Sequence, residues 1–155
     1  MGIAERTALF LRGGQAARSA FKWHNPSARR LAAWLYAAEG QTIDHAAVRA
    51  ALDEFKRSAG ALSPFRGHLA LPLAAMAALR DRPEETIGRA VALYGWLKQA
   101  GFRGCDFLAA AAMTAACRPG GAPDELAGRA WAFFRGMRAD HPMLTGRGDY
   151  LFAML

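Results

Sequence analysis

Residues 65–78 read FRGHLALPLAAMAA and residues 102–115 read FRGCDFLAAAAMTA. Aligned at an offset of 37, Phe65-Arg66-Gly67 returns as Phe102-Arg103-Gly104, and Leu71, Ala74, Ala75, Met76 and Ala78 return as Leu108, Ala111, Ala112, Met113 and Ala115. At an offset of 40, Pro83, Glu85, Gly88, Arg89, Ala90 and Ala92 return as Pro123, Glu125, Gly128, Arg129, Ala130 and Ala132. Each unit is thus an alanine-rich helix, a Pro-acid start, a second helix carrying aromatics, and a glycine turn into the next unit. A partial further copy begins at the end, where Asp106-Phe107-Leu108 reappears as Asp149-Tyr150-Leu151. A period of about 40 residues marks arrays in which neighbouring units stack to share one core. The expected fold is all-α, a solenoid-like array of stacked antiparallel helical hairpins in a single domain over residues 1–155.

Local signals place the helices. Residues 3–12 and 15–23 are apolar at helical spacing and are expected to be two helices broken at Gly13-Gly14. Asn25-Pro26-Ser27 starts a helix over 26–39, Asp44 caps one over 46–58, and a loop at Ser63-Pro64 and Gly67 precedes one over 69–80. Pro83 and Pro123, each followed by acids, start helices to about residues 99 and 139. Nothing alternates with period two over a strand's length. The small face of residues 109–116 is expected inside, flanked by Tyr94, Trp96, Trp131, Phe133 and Phe134, with Trp96 and Trp131 as the expected exceptions because they do not recur.

Composition narrows the function classes. The chain is 53% hydrophobic and 21% charged over 155 residues, which suits one soluble globular domain and excludes disorder. The longest uncharged apolar run, residues 107–117, is far short of the roughly 18 residues of a membrane span. No signal peptide is expected from residues 3–11, and Cys105 and Cys117 would lie about 18 Å apart along one helix, too far to pair with each other. A reducing, cytoplasmic setting follows. Eleven basic and five acidic residues fall before residue 81, against nine and eight after it. That basic half, through Arg6, Arg12, Arg18, Lys22, Arg29 and Arg30, allows nucleic-acid binding without favouring it, since no aromatic-plus-basic motif accompanies the charge.

Chemistry-bearing motifs are few. His24, His45, His68 and His141 have no ligand spacing with one another or with the cysteines, so no metal is expected. No phosphate-binding glycine motif is present, and no cofactor is expected. Cys105 falls at a helix start but the sequence brings it no base, so an idle thiol is favoured. Arg66, Arg103, Asp106, Arg147 and Asp149 stand where turns enter helices. They form either a row of guanidinium forks for carboxylates or phosphates, or, as favoured here, arginines that bond carbonyls of the preceding helix and aspartates that cap the next.

The least generic segment is His141-Pro142-Met143-Leu144-Thr145, followed by Gly146, Arg147, Gly148, Asp149 and Tyr150. Here the sequence resembles the bacterial domain-of-unknown-function family numbered 4003, whose members carry a His-Pro-hydrophobic-Leu-Thr stretch ending in Asp-Asp-Tyr before an apolar helix. Gly148 stands where that pattern has its first Asp. The likeness extends over Leu97-Lys98 with Gly101-Phe102 and over residues 63–66. It implies an all-helical bacterial protein with no established activity, of which this chain is expected to be an N-terminal portion. The functional expectation is a protein- or peptide-binding scaffold, or self-association through the C-terminal helix. The alternatives are an enzyme or small-molecule binder using His141, Thr145 and Asp149, and nucleic-acid binding by the basic half.

Overall fold

In a computed structural model describing residues 2–118 and 120–155, the regular structure is eight α-helices and two short 3-10 turns, with no strand among the described residues. The chain forms two compact units, one ending at Glu84 and the other spanning Glu85–Leu155. No helix among the described residues is long and apolar enough to cross a membrane.

The first unit contains α1 (Ile3–Ala20), α2 (Pro26–Ala38), α3 (His45–Ser58) and α4 (Ala70–Ala78). Its helix starts are written locally. The Asn25 side chain accepts from the Ser27 N–H at 2.8 Å with Pro26 in the first turn, and Asp44 accepts from the N–H groups of Ala46 and Ala47 at 3.0 Å. Each such cap contributes about 1 kcal/mol. Against expectation, α1 runs unbroken through Gly13-Gly14. A glycine inside a helix costs only about 1 kcal/mol relative to alanine, and Gly13 is buried where α1 packs on α2: a β-carbon built there would lie 3.4 Å from Ala33 Cβ. Only a small residue fits at this approach of the two helices. Trp23, expected inside a second helix, instead follows α1 and is 89% exposed.

α4 packs against α2 and α3, and seven of its nine residues are buried. A helix apolar all round can only be an interior one. Phe55 of α3 stacks on Phe65 in the 3-10 turn Pro64–Arg66, ring centroids 5.2 Å apart and both rings buried.

The second unit contains α5 (Pro83–Ala100), whose first turn carries the boundary, α6 (Asp106–Ala116), α7 (Pro123–Asp140), the 3-10 turn Arg147–Asp149 and α8 (Tyr150–Ala153). α5 and α7 both begin at proline and run 18 residues, matching the offset-40 alignment. Seven of the 11 residues of α6 are buried. Phe102 is buried among Trp131, Phe134 and Tyr150, with centroids 5.0, 5.5 and 4.9 Å away. Phe65 and Phe102 are therefore both buried at the entry to an alanine-rich helix, but Phe65 stacks on the helix before it and Phe102 is enclosed by helices that follow.

The aromatics of α7 divide by angle. Ala127, Ala130 and Phe134 form its buried stripe. Phe133, expected inside, is about 100° round the helix from Phe134 and is 56% exposed. Trp131 is half-buried against Phe102, while Trp96 is exposed.

Candidate functional site

A hollow of about 590 Å³ opens where the end of α6, the turn into α7, α7 itself and residues 152–155 meet. Leu126, Arg129, Ala130 and Phe133 form its α7 wall. Their spacing of three, four and seven residues puts all four on one side of the helix. Phe152, Met154 and Leu155 face them across the hollow, and Arg118, Gly120 and Gly121 close one end. Gly121 (φ +71°) permits this tight reversal: a β-carbon on it would stand 2.9 Å from Leu126 Cγ.

The turn is held by a guanidinium. Arg89 of α5 donates through Nη1 to the Arg118 carbonyl at 3.0 Å and through Nη2 to the Gly120 carbonyl. A cation beside carbonyls at a helix C-terminus meets the negative end of the helix dipole. Arg118 in turn donates to the Leu155 carbonyl at 3.4 Å. Arg129 is exposed in the hollow, and no Asp or Glu side chain among the described residues stands within ion-pair distance of it or of Arg118. The hollow thus has apolar walls, two cationic groups and no acidic lining residue.

The seven residues singled out from the sequence lie elsewhere. Arg66 is exposed at the end of its 3-10 turn in the first unit, and Arg103 is exposed between α5 and α6. Asp106 is the first residue of α6, whose cap position is Cys105 without a side-chain cap bond. His141 ends α7, exposed, and its carbonyl accepts from the N–H groups of Leu144 and Thr145. The Thr145 hydroxyl donates to the Met137 carbonyl at 3.1 Å, and Asp149 accepts from the Gly146 N–H at 2.8 Å. Arg147 is exposed at the start of that turn. The segment from His141 to Asp149 is therefore tied to its own backbone, and none of the seven borders the hollow.

The basic residues of the first unit do not align. Arg6, Arg12 and Arg18 recur every six residues of α1, about 240° apart at each step, so they spread around the helix. Arg29 donates to the Lys22 carbonyl at 3.2 Å, and the Lys22 ammonium sits 5.0 Å from the exposed Trp23 ring. Among the described residues no three His, Cys, Asp or Glu side chains gather as a metal would require.

Arg118, Arg129, Phe133 and Phe152 were not legible as a set, because they come from three segments that only tertiary packing brings together. One signal was available: the recurrent Gly-Arg-Ala triplet put Arg89 and Arg129 at equivalent positions. No curated protein and no solved structure matches the chain. A family model does match, over residues 15–155, and the chain accordingly belongs to the family described as Protein of unknown function (DUF4003).

Proposed function

We propose that this protein binds another polypeptide, and that the hollow beside α7 receives an apolar segment with acidic flanks. The observation that carries this reading is the pairing of exposed apolar walls, Phe133 and Phe152 foremost, with the cations Arg118 and Arg129 and no Asp or Glu side chain among the described lining residues. Its volume of about 590 Å³ falls in the range of sites that seat ligand groups, and an apolar helix face laid in a groove is a recurrent recognition mode. A second copy of the chain is a poorer occupant, since each copy carries a net charge of +7 and like charges oppose association. The cytoplasm is the compartment this reading assigns, following the two cysteines at opposite ends of α6.

Peptide-display selection against the whole protein tests it. Enriched peptides should combine large apolar residues with Asp or Glu, and their binding should fall at least tenfold in Phe133→Asp. Equal binding to wild type and Phe133→Asp overturns the reading. Sedimentation equilibrium separates self-association, which would appear as a dimer dispersed by the same substitution.

A further inference from the structure

We propose that the groove recognises the C-terminal end of a partner's helix, with Arg129 donating to the carbonyls that follow that helix as Arg89 donates to those that follow α6. The inference rests on the groove being a polypeptide site and adds which feature of the partner is read. Arg89 and Arg129 are each the seventh residue of an 18-residue helix that begins at proline, and each lies between a glycine and an alanine. The first has its client inside the molecule: the carbonyls of Arg118 and Gly120. The second projects from the same position of its own helix, is exposed, and has no acceptor among the described residues.

Chemistry selects a helix end over a free anion. Carbonyls just past a helix end, as those of Arg118 and Gly120 are past α6, lack partners within the helix and lie at the negative end of its dipole, so they offer a guanidinium fork several acceptors without a full charge to desolvate. The walls around Arg129 are Leu126, Phe133 and Phe152. A phosphate or acetate would give up its hydration against those side chains with only Arg129 unengaged, since Arg118 already donates to the Leu155 carbonyl, whereas a helix end brings an apolar face to cover them.

The probe is a fluorescent peptide of residues 106–121, the segment whose carbonyls Arg89 holds, with a C-terminal amide and Cys117→Ser. It is titrated by anisotropy into the intact protein beside a scrambled peptide of the same composition. Saturable binding is expected for the helical peptide and not for the scrambled one, weakened at least tenfold by Arg129→Ala, partly restored by Arg129→Lys and lost in Phe133→Asp. Because Arg129 is exposed, its variants should melt as wild type does, which separates lost binding from lost folding. The inference is overturned if wild type does not bind the probe or if Arg129→Ala binds it equally well. Display-selected peptides that need Phe133 but not Arg129 would leave the groove standing and remove the helix-end reading; peptides that need neither would remove both.

Discussion

A β-carbon on Gly101 would lie 2.5 Å from Trp131 Cζ2, closer than any non-bonded carbon pair can stand. Gly101 has φ +127°, a conformation that residues with side chains rarely adopt. The turn from α5 into Phe102 therefore depends on glycine twice, for its backbone angle and for the indole that covers it. Gly101→Ala should lower unfolding stability by about 3 kcal/mol. Gly95, inside α5 with open space where its β-carbon would go, should respond in the opposite sense, Gly95→Ala raising stability by about 0.5–1 kcal/mol. Urea unfolding followed by tryptophan fluorescence measures both, and equal responses at the two glycines would refute the assignment.

The contact between Gly13 and Ala33 makes a size-graded prediction. Alanine at position 13 meets Ala33 Cβ at 3.4 Å, an ordinary contact, and improves the helix. Gly13→Ala should be neutral or stabilising by up to about 1 kcal/mol, whereas Gly13→Leu should lose about 1–3 kcal/mol by forcing α1 from α2. Thermal melts of the two variants should move apart, and a shared direction would show that Gly13 is not an approach point.

Helix starts were legible because their causes are local: Asn25, Asp44, Pro83 and Pro123 each act on backbone groups within a few residues. The unbroken α1 was not, because the packing that covers Gly13 is with Ala33, twenty residues on in another helix. The candidate site failed to show for the same reason. Arg66, Arg103 and Arg147 were expected to bond carbonyls of the preceding helix, whereas the clasp beside the hollow is made by Arg89, from α5 to the turn after α6, a separation of 29 and 31 residues. The turn around Thr145 drew attention by its unusual composition, and in the fold its hydroxyl closes onto the Met137 carbonyl eight residues earlier.

Tyr36 is 2% exposed and its hydroxyl has no hydrogen-bond partner. Burial, and then the Asp44 carboxylate, push its pKa up to about 12, while the Asp44 backbone pulls the other way without reaching hydrogen-bond geometry. With a folded pKa above the unfolded value of 10.0, the neutral phenol supports the fold fully below pH 10, and that contribution is lost as pH rises towards 12. Tyr36→Phe should remove this alkaline loss and, by deleting an unsatisfied buried hydroxyl, raise stability near neutrality by about 1 kcal/mol. A wild-type alkaline limb that survives in Tyr36→Phe would assign the transition to another group.

His24 gives the acid counterpart. Its pKa is lowered by partial burial, then by Arg29 of α2 and Lys56 of α3; Arg49 and Asp53 of α3 line a small surface hollow of the first unit together with His24. A folded pKa below the unfolded 6.5 means that the unfolded chain takes up the proton first, so stability falls as pH drops from 6.5 through the folded value. His24→Gln should flatten that stretch of the pH–stability curve, and the His24 ring protons followed by NMR should titrate below those of an unfolded peptide. Titration at or above 6.5 would contradict the placement of the two cations.

Arg89 and Arg129 share a sequence position but not an environment, and stability should separate them. Arg89 holds two turn carbonyls, so Arg89→Ala should lower stability by about 1–2 kcal/mol, since hydrogen bonds to charged groups are the stronger kind and the freed carbonyls regain only partial solvation. Arg89→Lys should recover part of that loss at most, because one ammonium cannot reproduce a planar fork reaching two acceptors. Arg129 contacts no acceptor among the described residues, so Arg129→Ala should leave stability within about 0.5 kcal/mol. Hydrogen exchange at the amides of Cys117 and Arg118, which donate to the Met113 and Ala115 carbonyls where α6 enters that turn, gives the local readout: protection should drop in Arg89→Ala and persist in Arg129→Ala. If both substitutions loosen that turn alike, the two arginines serve the same internal contact and the groove loses the unengaged guanidinium on which its proposed chemistry depends.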